Sequence, residues 1–124
     1  KLTDGGSDLV TIDSAGAIST ASNVTNLHNY TSVSVPTTST CGTSPSVDAG
    51  SSNHAGKVTF GSATTACTLT FAGAFANNAY CTVTPAAQPA AVANIPYISA
   101  QSKTAFTISG GTASASYYYT CGGN

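Results

Sequence analysis

Ala66-Cys67-Thr68-Leu69-Thr70-Phe71 decides the fold class. Cys67, Leu69 and Phe71 alternate with Thr68 and Thr70, a period of two that lines the apolar side chains along one face of a strand. The pattern repeats on both sides. Upstream, Lys57–Phe60 turns Val58 and Phe60 one way. Downstream, Tyr80–Thr84 directs Cys81 and Val83 inward, with Thr82 and Thr84 outward. Thr104–Ser109 does the same with Phe106 and Ile108. Ala115–Cys121 sets Tyr117, Tyr119 and Cys121 on one face and Tyr118 and Thr120 on the other. Val92–Ala100 is a further strand, interrupted by Pro96, which has no N–H to give and belongs at an edge or a bulge. Ala86–Ala93 is rich in Ala, but Pro85 and Pro89 break it into a loop. Strands spaced by Gly, Asn and Pro turns predict an all-β fold, an antiparallel sandwich or barrel, with almost no helix.

Residues 1–35 read differently from 36–124. Val10 and Ile12 share one strand face, and Asp13-Ser14-Ala15-Gly16 is a turn signal. The expectation is one small β-hairpin or shaft segment, followed by a strand over Tyr30–Val35. A lone hairpin is marginal in water, so it should pack on something, in the simplest case a copy of itself. The head then begins with a Thr/Ser-rich stretch and a polar, Gly-rich loop, Asp48–Gly56. No signal peptide is visible, and Lys1 reads as the start of a mature chain or of a fragment cut from something longer.

Composition narrows the function. Ser, Thr and Ala supply 57 of the 124 residues, and Leu, Ile, Val and Phe only 21. The core must therefore be thin, and extra stability has to come from disulfides, oligomerisation or both. Charged residues are 6% of the chain: three Lys, four Asp, no Arg and no Glu. No basic surface can hold phosphates, which excludes nucleic acid. No apolar run approaches the ~20 residues of a membrane span, so no membrane insertion is expected. Paired-carboxylate catalysis has little material.

The four cysteines are Cys41, Cys67, Cys81 and Cys121. None forms a C-x-x-C pair, so zinc-finger and redox spacings are missing, and no metal or cofactor is expected. Two disulfides are expected instead. Four cysteines allow three pairings, among which sequence alone does not choose. The preferred pairing is Cys41–Cys67, tying a long polar loop, with Cys81–Cys121, joining the last strand to an inner one. Each bridge is worth about 3–4 kcal/mol on the chain-entropy model.

From Leu69 onward the sequence resembles a known group. Leu69-Thr-Phe71, Ala74-Phe75-Ala-Asn-Asn-Ala-Tyr-Cys81-Thr-Val83, Ile98-Ser-Ala, Ser102-Lys-Thr-Ala-Phe106-Thr-Ile108 and Ser116-Tyr-Tyr-Tyr119-Thr-Cys121-Gly look like the small sandwich heads that end bacteriophage tail fibres and tailspikes. Their pattern is similar to the H-type lectin sandwich. Cys41-Gly-Thr-Ser-Pro-Ser-Val also resembles such heads, and Leu9–Thr20 resembles the thin shafts that precede them. Two departures stand out: Ala79-Tyr80 replaces the usual proline before the edge-strand Cys, and Tyr replaces the final-strand Trp. The resemblance implies a lectin-like or jelly-roll-like head on a trimeric fibre, in the virion tail, binding a host-surface glycan or protein.

Several residues could carry recognition. Asp48, Asn53 and His54 sit on the polar loop; Asp48 orienting His54 as a base would be a hydrolase arrangement, but no Ser stands in a nucleophile-elbow context. Contact with a ligand is the better use of loops on a rigid sandwich. The Asn77-Asn78 turn offers further amides. Among the tyrosines, Tyr117 and Tyr119 fill the core by alternation, while Tyr97 and Tyr118 point outward and suit glycan or protein recognition. Asp4-Gly-Gly-Ser-Asp8 partly echoes calcium-binding repeats, yet a single copy makes no site, and turn formation explains it. His28 is expected to be structural. Asn23-Val-Thr25 and Asn29-Tyr-Thr31 match N-glycosylation sequons, as chance allows in a Thr-rich chain. With charged residues scattered along the sequence, affinity has to rest on aromatic stacking and neutral hydrogen bonds. The expected function is thus a non-enzymatic, homotrimeric receptor-binding tip of an extracellular virion. The alternative is a subunit of a bacterial extracellular filament or surface adhesin assembled by β-strand pairing.

Overall fold

Alternation becomes architecture through pairing. A computed structural model describes residues 2–4, 7–12, 14, 18–20, 35–89 and 94–123. Between residues 37 and 122, eight strands form two antiparallel four-stranded sheets. One runs β4 (Thr37–Ser39), β7 (Cys67–Thr70), β10 (Ala105–Ser109), β9 (Tyr97–Gln101). The other runs β5 (Ser46–Val47), β6 (Ala55–Thr59), β11 (Ser116–Gly122), β8 (Tyr80–Pro85). The all-β sandwich expected from the sequence is what forms, without α-helix among the described residues.

The alternating residues meet between the sheets. Leu69 on β7 faces Phe106 on β10, and Cys67 faces Ile108. From the opposite sheet come Val58, Tyr117 and Tyr119. The rings form one series and a separate pair: Phe71 packs on Phe75 and Phe106, and Phe106 on Tyr119, while Phe60 packs on Tyr117, with centroids 4.7–5.5 Å apart. Such tilted and edge contacts add to the area they bury. Tyr117 and Tyr119 are core residues, as alternation requires, and each satisfies its hydroxyl. Tyr119 Oη donates to the Ser52 carbonyl at 2.7 Å, and Tyr117 Oη accepts from the Thr112 N–H at 2.6 Å.

Both disulfides join in the expected pairing, Cys41–Cys67 and Cys81–Cys121. Cys81 and Cys121 stand directly opposite each other in the ladder. The roles of their strands are reversed from expectation: β11 is the inner strand, between β6 and β8, and β8 is the edge. Cys41 lies just past β4 and reaches the first residue of β7, so this bridge also links neighbours within one sheet.

Two strand assignments differ from the sequence reading, and a third lies outside the described residues. Residues 1–35 hold a three-stranded sheet, not one hairpin: β1 (Leu2–Asp4), β2 (Ser7–Ile12) and β3 (Ile18–Thr20). Asp4 ends β1 and pairs with Ser7, and Asp8 pairs with Thr3, so Asp4, Ser7 and Asp8 are all strand residues. The expected Tyr30–Val35 strand falls on residues outside the description save Val35, which is in no strand. The strand drawn over Val92–Ala100 begins at Tyr97, after the proline; 90–93 lie outside the described residues. Pro96 precedes an edge strand, and the β9–β10 ladder slips between Thr107 and Ile108, in keeping with the edge-or-bulge expectation.

Candidate functional site

The outer face of the β5–β6–β11–β8 sheet is set by the same alternation that builds the core. With Tyr117, Tyr119 and Cys121 turned inward, Tyr118 and Thr120 must turn out. On β11 Tyr118 is 53% exposed. It stands between Lys57 on β6 and Thr84 on β8. Two strands anchor its backbone, so the ring projects from a rigid part of the sheet. Beside it, Thr59 and Ser116 share a hydroxyl–hydroxyl bond of 2.8 Å.

Two clefts flank the ring. One, of about 570 Å³, is lined by Tyr118, Lys57, Ser116, Pro85, Gln88 and Asn94 among others. The second, of about 490 Å³, lies over Asp48, Ser51, Lys57, Tyr118 and Thr120. These volumes are in the range of small-ligand sites, though both clefts are open. Lys57 and Tyr118 are common to the two.

Charge at this face is internally balanced. Lys57 Nζ lies 2.9 Å from Asp48 Oδ2. The hydrogen bond that Lys57 donates to the Asp48 carboxylate, and then the charge of that carboxylate, raise the Lys57 ammonium above its ordinary pKa. The pairing brings together two of the charged residues that look solitary in the sequence. The loop between them is ordered from within: Asp48 N–H donates to the Lys57 carbonyl, Ser51 N–H to the Asp48 carbonyl, and Lys57 N–H to Ser51 Oγ. Gly56 is required here, because a Cβ would overlap Ser51 and the Tyr119 hydroxyl.

Beneath the second cleft, burial pushes the Tyr119 hydroxyl up to about 12, against a smaller lowering by Ser51. The sign follows from proton binding. Above pH 10 the unfolded chain ionises this tyrosine while the folded chain keeps it neutral. Its contribution to stability is therefore complete below about pH 10 and is lost as pH rises through about 12. Urea midpoints measured across that window should fall in the native chain, and Tyr119→Phe should make the fall shallower; an unchanged slope would remove Tyr119 as its cause.

The other sequence candidates are dispersed. Asp48 joins Tyr118 through Lys57. Asn53 is committed to the fold: Nδ2 donates to the Gly73 carbonyl at 2.7 Å, and Oδ1 accepts from Ala72 N–H at 2.9 Å. His54 sets its ring edge-to-face with Phe75 at 5.3 Å, and its carbonyl accepts from Cys121 N–H. Both residues thus clasp the loop after β7, at the end of the sandwich opposite to Pro85. Asn77 and Asn78 are exposed on that same loop. Tyr97, 58% exposed, lies on the other sheet, paired with Ser109, its ring passing over Gly110. Asp48 and His54 do not form the base-and-orienter pair of a hydrolase: the Asp48 carboxylate is on Lys57 and the His54 ring is on Phe75. Lys57, Ser116, Gln88 and Asn94 escaped the sequence reading as site residues: strand pairing brings Lys57 beside Tyr118, Ser116 precedes it on β11, and Gln88 and Asn94 reach the first cleft from outside the strands. No protein-family model matches the sequence, and neither a curated protein nor a solved structure is significantly similar to it.

Proposed function

We propose that the chain is a non-catalytic recognition module, the homotrimeric receptor-binding tip of a bacteriophage tail fibre or spike, and that it attaches to a host-surface glycan through the outer face of the β5–β6–β11–β8 sheet. The observation that carries this reading is Tyr118, half-exposed on an inner strand between two open clefts lined by hydroxyls, amides and a self-neutralised ion pair. A sugar ring offers an apolar C–H face and a rim of hydroxyls. A tyrosine face with neutral donors and acceptors around it complements both. The two disulfides agree with an extracellular, virion-borne protein. Three copies on one fibre would turn weak single sites into firm host attachment.

The test is a screen of the purified chain on bacterial surface glycans, run on material whose mass by light scattering is that of three chains. Tyr118→Ala should weaken attachment by about 1–2 kcal/mol with the particle mass unchanged. Binding should depend weakly on salt, since few ion pairs form to be screened. Retained attachment in Tyr118→Ala moves recognition to another surface, and an open-ended polymer in place of a trimer favours a filament subunit.

A further inference from the structure

Tyr118 is not alone on its face. Tyr80, the first residue of β8, is 70% exposed, and its neighbour Cys81 is turned inward to the disulfide with Cys121. The register fixes where its ring stands: Tyr80 pairs with Gly122, Thr82 with Thr120, and Thr84 with Tyr118. Tyr80, Thr82, Thr84, Tyr118, Thr120 and Gly122 are all exposed and share the outward parity of the two strands. Four residues of strand rise and one strand spacing put the two tyrosines about 14 Å apart. Between them lie the Thr82 and Thr120 side chains. Beside Tyr80, Gly122 raises no side chain, and a Cβ there would meet nothing within 4 Å.

Resting on the glycan reading of the Tyr118 face, we infer that the ligand is an extended, uncharged oligosaccharide, longer than a disaccharide, lying along β11 and β8 with one sugar on Tyr118 and a later one on Tyr80. Three features favour a sugar chain over a protein partner. Protein interfaces centre on contiguous buried apolar anchors, whereas here two separated rings are spaced by hydroxyls. A polysaccharide repeats the same alternation of apolar ring face and hydroxyl rim. Among the described residues, the charge near the strip is the Lys57–Asp48 pair at the Tyr118 end, already neutralised, and it does not select an acidic chain. The open surface at Gly122 leaves the chain free to continue past Tyr80.

The experiment is an array of neutral bacterial surface polysaccharides, each cut to mono-, di-, tetra- and hexasaccharides and probed with the intact chain. Tetra- and hexasaccharides of the recognised glycan should bind about tenfold more tightly than its disaccharide. Tyr80→Ala should abolish that gain and leave disaccharide binding unchanged. Tyr80→Phe, which keeps the ring, should preserve the gain, and unchanged thermal unfolding of both variants shows an intact fold. Equal affinity for di- and hexasaccharide, insensitive to Tyr80→Ala but lost in Tyr118→Ala, overturns the extended site and leaves the Tyr118 site standing. Binding confined to acidic glycans overturns the uncharged ligand. Binding to none of the glycans, or binding insensitive to Tyr118→Ala, overturns both.

Discussion

Phe106→Ala should destabilise the sandwich by about 3–5 kcal/mol, the range for emptying a phenylalanine site in a close-packed core. Phe106 is 1% exposed and lies on β10 opposite Leu69. Its ring touches Phe71 within its own sheet layer and Tyr119 from the facing sheet, at 5.5 and 5.2 Å between centroids. Removing it therefore opens a void between the sheets, and the stiff ladders on either side cannot collapse to fill it. A chain this poor in large apolar residues has few such side chains to lose. Domains of this size hold about 5–15 kcal/mol in total, so one substitution would consume a large share. Urea unfolding followed by tyrosine fluorescence gives the value. A loss under about 1 kcal/mol would mean that the sheets are not held together by this ring series.

The strands legible in the sequence are those whose inward and outward residues differ in kind. Cys67, Leu69 and Phe71 against Thr68 and Thr70 admit only one facing, and so do Phe106 and Ile108 or Tyr117 and Tyr119. β4 and β5 are different. Thr37-Thr38-Ser39 has no apolar residue to bury, and Ser46-Val47 is two residues long. They are strands because β7 and β6 offer them ladder bonds, a tertiary cause without a local signature. The same distinction governs the site. Tyr118 was visible because its two neighbours had to face the core. Lys57 became relevant only when pairing placed it beside Tyr118, and Asp48 only when the loop folded back to meet it. Asn53 shows the converse: its polar character marked it as a contact for a ligand, but the fold uses its amide to hold Gly73 and Ala72.

Deleting either disulfide should cost about as much as emptying that core site. The loops closed by Cys41–Cys67 and Cys81–Cys121 span 26 and 40 residues of sequence. On the chain-entropy model each removal frees the unfolded chain by about 3–4 kcal/mol, slightly more for the longer loop. Packing reverses that order. Cys41 and Cys67 are buried, at 2% and 0% exposure, whereas Cys81 is only half-buried. Alanine at 41 and 67 takes sulfur out of the core and adds a cavity term, so this pair should be the costlier to lose. The Cys81–Cys121 pair has a more local consequence. It fastens β8, an edge strand with a single ladder partner, to β11, and those two strands carry Tyr80 and Tyr118. Cys81→Ala with Cys121→Ala should therefore loosen the β8 edge as well as lower the unfolding midpoint, and amide exchange along β8 should rise more than along β10. Losing both bridges together removes stability comparable to the whole of a small domain's, so the reduced chain should be unfolded at 37 °C. A reduced chain that melts within a few degrees of the oxidised one would show that the thin core suffices without its covalent ties.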